Sequence, residues 1–562
     1  MMGGTMRHGV PPLPEIELRN AAWPGLLASP RKAALEKILP GYLQGRRWFG
    51  GKARRISRLK ISGTLCLGDS AMPLALLRVS YSHGAPQTYL LPLAWKKRAA
   101  AEALLKNEPG AAIAGLELSG KRGLLYDAVY DKAFQSAFLS LFLGKRRPRG
   151  AGNLVVEQDS RLLNKARRKN GPAPAPRLLK GEQSNTSIVY GSAYFSKLFR
   201  RLEKGVNPDI ELGARLTGHS SFRGMPPFLA AVSLHRGGKL FGAIGLLQGY
   251  TPSRGDSWGY ALGEVSGYYK RILSRPVAAA PPPQPPDPPG PALRQAPGPT
   301  AALIGKKCLA MMSLLGKRTA QMHLALSSAG RDPDFRPEPF TRVYQRRIHR
   351  SMLGLTSSTL HLLSRKLRDL PAAVRPGASL LLENKRAVMK AFQAVTAGKI
   401  SAGKIRVHGD FHLGQVLFTG TDFVIIDFEG EPAKPLSERR HKYSALRDVA
   451  GMLRSFHYAA WAPFHLRSDI KAGEAGTLAP WAENWYSCVS AAFLRSYFRT
   501  AAGACFLPED PAEITALLKA FLMEKAIYEL AYELNNRPDW AGIPLKGLLQ
   551  LSGTGMVPGS TQ

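Results

Sequence analysis

The spacing of hydrophobic and polar positions changes several times along the chain. Near the start, AALEKILPGYLQ has helical spacing, and segments such as PLALLRVSYS and TYLLPLAW then alternate as strands of a small sheet do. From about 96 to 150 the pattern turns helical, in AAAEALLKNEP and DKAFQSAFLSLFLG, with KRRPRGAGN as a loop. Residues 151–250 return to short strand runs: LVVEQ, RLLKGEQ, TSIVYG, YFSKLFRRL, PPFLAAVSL and FGAIGLLQGY. One helix, NPDIELGARLTG, interrupts them, with Asn207 suited to the N-cap, Pro208 to the first helical position and Asp209 to the first turn. After residue 300 the long periodic segments CLAMMSLLGKRTAQMHLALSS, ENWYSCVSAAFLRSYFRTAAG and ITALLKAFLMEKAIYELAYELNN are helical. The pattern predicts an α+β protein in three parts: 1–95, then a β-rich 96–250, then a mostly helical 251–552. Within the last part, residues 276–299 are a proline-rich insert, extended because proline fixes φ and removes donors.

Composition changes this picture little. The chain has 562 residues, 44% hydrophobic and 21% charged, as a soluble globular protein of several domains has. No apolar run reaches the ~18 residues of a membrane span, and no apolar signal core follows the N-terminus. Four scattered cysteines, Cys66, Cys308, Cys488 and Cys505, lack metal-site spacing, so a reducing cytoplasm is the expected compartment. The net charge of +38 is dispersed in RRWFGGKARR, KRRPR, KARRK and YQRRIHR, and no single stripe interleaves with aromatics. It reads as a solvated basic surface rather than a specific nucleic-acid or membrane site. A non-catalytic anion-binding scaffold remains the alternative of a different class.

The chemistry concentrates in His408–Pro432, HGDFHLGQVLFTGTDFVIIDFEGEP. Asp410 and Gln415 share one turn, and Asp427 follows an apolar strand. This is the layout of a phosphoryl-transfer site: an acidic residue for the acceptor hydroxyl, then two oxygen ligands for Mg²⁺ against ATP phosphates. His408 and His412 are placed to fix the loop by hydrogen bonding, and a zinc site lacks its ligands. Upstream, the turn GEQSNTSIVYG offers backbone N–H groups with Ser184, Asn185, Thr186 and Ser187 as a phosphate cradle, although it is no Walker A loop. Lys197 lies on the next strand between aromatics, and Glu211 on the following helix is its expected partner.

These motifs resemble the aminoglycoside phosphotransferase-like kinases. WFGGKAR (Trp48–Arg54), EQSNTS, NPDIEL, HGDFHLGQ, IDFEGEP, LRDVAGMLRSF (Leu446–Phe456) and NNRPDWAGIPL (Asn535–Leu545) together resemble the maltokinase family. The resemblance implies a bilobal, protein-kinase-like α+β fold with an N-terminal cap, a β-rich N-lobe and a helical C-lobe. It implies ATP-dependent formation of maltose 1-phosphate for α-glucan or glycogen synthesis, with trehalose synthase as a partner. Adenine is expected at Gln248–Tyr250, and the sugar near His408, Glu429, Glu431, Arg439 and Tyr443. Arg447 and Asp448 serve equally well as sugar contacts or as ion pairs supporting the loop. A glucosamine kinase or another sugar kinase of the same fold is the nearest rival. The proline insert, the charge, and His457 where an acidic residue is expected depart from the family.

Overall fold

The computed structural model describes residues 13–18, 23–27, 30–67, 72–144, 149–150, 153–170, 174–179, 184–274, 298–328, 332–466, 470 and 472–554. The chain forms two compact units: residues 1–214 with 226–251, and residues 215–225 with 252–562.

The first unit is built from β1 (Glu15–Leu18), β2 (Ile56–Cys66), β3 (Leu74–Tyr81), β4 (Gln87–Lys97), β5 (Ala112–Leu118), β6 (Lys121–Asp127), β7 (Arg149–Gly150), β8 (Asn153–Gln158), β9 (Pro176–Leu178), β10 (Thr186–Tyr190), β11 (Tyr194–Leu198), β12 (Arg201–Leu202), β13 (Phe228–Arg236) and β14 (Lys239–Gly249). One sheet runs β1-β5-β6-β4-β3-β2-β7, with β12 paired to β4, and the other runs β8-β13-β14-β11-β10-β9. Alternation along β3 and β4 divides the first sheet between two cores. Leu77, Val79 and Leu91 face one that contains the helix Lys32–Gln44. Leu74, Leu76 and Leu90 face another that contains Phe134, Phe138 and Phe142 of the helix Lys132–Phe142, with Ile188, Leu198 and Leu247 of the second sheet.

Residues 96–150 differ from the helical expectation. Helices Arg98–Asn107 and Lys132–Phe142 form, but between them β5 and β6 pair as a hairpin and carry the first sheet past residue 95. Ser119 and Gly120 both have positive φ, 49° and 78°, and the two-residue turn they make sets the hairpin register. A further helix, Ser160–Asn170, occupies SRLLNKARRKN, which the strand reading passed over. The loop KRRPRGAGN lies partly outside the described residues.

The second unit is mostly helical, with long helices at Ser257–Leu273, Lys306–Ser327, Arg342–Lys366, Leu446–Trp461, Ala475–Thr500, Pro511–Asn536 and Gly542–Ser552. At its centre is Leu446–Trp461, in which every side chain but Arg447 is buried. It packs against Pro511–Asn536, Ala475–Thr500 and Ser257–Leu273. The loop 408–415 leads into a two-stranded hairpin, Val416–Phe418 with Phe423–Ile425. The proline-rich insert lies outside the described residues but for 298–299, which start the helix Gly298–Ile304. Among the described residues no helix is long and apolar enough to cross a membrane.

Candidate active site

The expected site residues fall into two groups, one in each unit. In the first unit, Lys197 stands opposite Ser187 on β10 and Leu246 on β14. It is 5% exposed, so its ammonium needs a counter-charge. Asp209 supplies it: Oδ2 accepts from Lys197 Nζ at 2.7 Å, with both groups buried. The sequence reading named Glu211 for this role. Asp209, two positions before it on the same helix, is buried at Lys197, and Glu211 is half-buried. Asp209 is itself placed by its backbone N–H, which donates to Asn207 Oδ1 at 2.9 Å.

The cradle also differs from expectation. Ser184 is exposed, whereas Asn185, Thr186 and Ser187 are buried. The Thr186 hydroxyl accepts from Arg200 Nε at 2.7 Å, and Arg200 Nη2 donates to the buried Asp127 at 2.9 Å. The Thr186 hydroxyl therefore braces the start of β10, and Ser184 is the exposed side chain of the turn. Residues 181–183 lie outside the described residues. Gln248, at the end of β14, is buried, and Tyr250 follows with its N–H donating to Ala193 O at 3.0 Å.

In the second unit the loop at Asp410 is held from behind. Asp448 accepts from the His408 and Gly409 backbone N–H groups at 2.7 and 2.9 Å, and pairs with His323 Nε2 at 3.1 Å. Burial alone would raise the Asp448 carboxyl, but the His323 hydrogen bond and nearby charges hold it below the ordinary carboxylate range. His408 is buried, with one ring nitrogen 2.9 Å from Ile426 O and the other accepting from Asp410 N–H at 3.4 Å. Both nitrogens face backbone groups, so His408 helps to position the loop. His412 Nδ1 accepts from Gly414 N–H at 3.0 Å, and its Nε2 lies 4.0 Å from Asp410 Oδ2. Gly409 has φ +84°, and a Cβ there would meet Gly430 Cα at 3.2 Å.

Gln415 turns its amide nitrogen to Asp427 Oδ2 at 2.8 Å, which leaves its carbonyl oxygen to ligate a cation. Asp427 has φ +66°, a conformation that non-glycine residues seldom adopt and that surrounding structure must impose. Asp427 and Glu429 bring carboxylate oxygens within 4.8 Å of each other. Two carboxylates and a neutral oxygen are hard donors of the kind Mg²⁺ takes, so the residues fit the ion. Glu429, expected at the sugar, has its carboxylate beside that of Asp427.

A polar cavity of about 660 Å³ opens beside Asp410. Of the residues expected near the sugar, Glu431, Arg439 and Tyr443 line it, and Glu429 and His408 do not. Arg439 Nε donates to Lys434 O at 2.8 Å, and the Tyr443 hydroxyl to Glu438 O at 3.1 Å. Arg447 also lines the cavity and pairs with Glu524 at 3.0 Å. The sequence reading passed over the wall formed by Phe521, Glu524, Lys525 and Tyr528 of the helix Pro511–Asn536. Their i, i+3, i+4, i+7 spacing is one helix face, and its polar members are the signal.

A family model described as the maltokinase N-terminal cap domain matches residues 42–131. Glucosamine kinases from Streptacidiphilus jiangxiensis and Mycolicibacterium smegmatis are each 24% identical, over 66% and 65% of this chain and 72% and 76% of their own. A solved glucosamine kinase in complex with glucosamine, ADP and inorganic phosphate superposes with a TM-score of 0.57 at 18% identity, covering 91% of this chain and 98% of that one. A second crystal form has TM-score 0.57, also at 18%, covering 94% and 97%. The chain thus has a kinase-like fold, with a β-rich unit and a helical unit. Its N-terminal part, residues 42–131, is similar to the maltokinase N-terminal cap.

Proposed function

We propose that the protein is an ATP-dependent sugar kinase that phosphorylates maltose at its anomeric hydroxyl, giving maltose 1-phosphate and ADP. The observation that carries this reading is Asp410 at a polar cavity of about 660 Å³, on the same loop as Gln415, whose amide meets Asp427 at the far end of the following hairpin. Asp410 orients the hydroxyl and takes its proton while that oxygen bonds to the γ-phosphorus and the bond from phosphorus to ADP breaks. Gln415, Asp427 and Glu429 are the proposed Mg²⁺ ligands, and the metal would supply charge neutralisation on the phosphates. Lys197, oriented by Asp209, is the proposed cation on the α- and β-phosphates, with the turn at Ser184–Ser187 over them, Glu211 nearby and Gln248–Tyr250 at adenine. Glu431, Arg439 and Tyr443 are the proposed sugar contacts.

The maltokinase cap supports maltose as acceptor. The names of the relatives favour a second reading, an aminosugar kinase acting on glucosamine. In either case the product is a sugar phosphate. For maltose it would feed α-glucan or glycogen synthesis in the cytoplasm, with trehalose synthase as partner. The test is ADP release with Mg²⁺-ATP across maltose, glucose, trehalose, glucosamine and maltotriose, with the product identified by NMR. Maltose-dependent release of an anomeric phosphate is expected. Turnover of glucosamine without maltose would replace the acceptor, and no turnover with any sugar would overturn the kinase reading.

A further inference from the structure

Most carboxylates of the acceptor cavity have a cationic partner; Glu438, exposed on its lining, makes no ion pair among the described residues. Glu431 pairs with Lys434 at 3.2 Å, Glu524 with Arg447 at 3.0 Å, and Asp334 with Arg440 at 3.1 Å. Glu338 is held by both Lys404 and Lys442 at 2.9 Å. Asp410 has a cation too: Lys525 Nζ lies 3.6 Å from its Oδ1, beyond a normal hydrogen bond, and 5.0 Å from the centre of the Tyr528 ring. Lys525 therefore stands beside the position that an acceptor hydroxyl must take, since such a hydroxyl needs to lie about 2.6–3.2 Å from Asp410. Arg439 and Arg447 line the same cavity.

We propose that Lys525 makes this cavity a charge filter that admits uncharged sugars and rejects those bearing an ammonium group. The inference rests on the reading of Asp410 as the residue that receives the acceptor hydroxyl. An uncharged sugar meets donors and acceptors most of whose charges are balanced in pairs, and such pairs suit hydroxyl groups. A cationic sugar in the same pose meets the Lys525 ammonium in a partly desolvated site and must compete with it for Asp410. With side chains 29% and 22% exposed, Lys525 and Asp410 are screened only in part. The expected penalty is about ten- to hundredfold in affinity.

The test compares glucose with glucosamine, which match in size and differ in charge. Affinities of both for the full-length protein are measured by ligand-observed NMR without ATP, at about pH 6.5, where the amine is protonated. Glucose is expected to bind at least tenfold more tightly. In K525M the ratio should fall towards one, and in K525R, which keeps the charge, it should persist. Thermal melting of each variant is measured alongside, so that the K525M ratio is read on folded protein. Equal binding by the wild-type protein, a K525M ratio equal to wild type, or binding of neither sugar would overturn the proposal. Turnover of maltose, measured in parallel, separates the two readings. An unchanged ratio with active maltose phosphorylation removes the filter alone. A shifted ratio without turnover of any sugar removes the kinase reading and keeps the filter.

Discussion

Asp410 and Asp448 are both carboxylates of the loop region, and their surroundings give them opposite parts. Asp410 is half-exposed at a cavity, near an ammonium and an imidazole. Asp448 is 2% exposed and spends its oxygens on two backbone N–H groups and His323. D410N should therefore retain wild-type thermal stability and ATP binding while turnover falls about 10²–10⁴-fold. Calorimetry beside a steady-state assay checks this, and near-normal turnover would remove Asp410 from the mechanism. D448A should lose both stability and turnover, because His323 is left buried without its partner; the stability loss is about 3–5 kcal/mol. A D448A protein with unchanged melting but no activity would place Asp448 in the chemistry instead. At Lys197, sequence logic found the buried lysine but not Asp209, because the choice between two carboxylates on one helical turn depends on how that helix is rotated.

At the scale of elements, the site depends on close approach of the loop to the helix Leu446–Trp461. A Cβ at Gly451 would lie 2.6 Å from the carbonyl oxygen of Phe411, the residue after Asp410. Backbone cannot yield there as a flexible side chain would, so G451A should push the loop outward. Misplacement on the ångström scale costs roughly 10²-fold in rate, and we expect a loss of that order with helical content by circular dichroism unchanged. Wild-type turnover in G451A would show that the loop tolerates the shift. The proline-rich insert carries none of the residues of either group. Deleting residues 278–298 should leave turnover within a few-fold of wild type, and an inactive, folded deletion would give the insert a role.

For the whole molecule, pH is the sharpest probe. His457 is 1% exposed and neither ring nitrogen makes a hydrogen bond; Glu483 Oε1 is 4.0 Å from Nε2. Burial, with Arg454 and Lys546 nearby, holds the imidazole well below its ordinary range. The unfolded chain takes up this proton near pH 6.5, whereas the folded protein takes it only at lower pH. Between the two the unfolded state binds more protons, so stability is complete above about pH 6.5 and falls as pH drops, by up to about 1.4 kcal/mol per unit for one group. Burial lowers His412 and His465 as well, and they act with the same sign. Melting temperature should drop between pH 7 and 5.5, and less so in H457F. A pH-independent melting temperature across this window would mean that these histidines titrate normally.

The sequence by itself determined the elements with strong period and the spacing of the candidate site residues. The long helices, the strands around Lys197 and the order Asp410, Gln415, Asp427 were legible because each depends on residues near one another in the chain. Turn residues were legible in principle at Ser119–Gly120, but helical spacing on either side hid the hairpin they make. The tertiary structure alone decided what distance along the chain conceals. It set Asp209 on Lys197, Arg200 on Thr186 and Lys525 on Asp410. It also turned His408 towards the loop and Glu429 towards Asp427. Which of several polar side chains meets a given partner depends on helix rotation, strand register and packing depth, and these are settled only when the whole core closes.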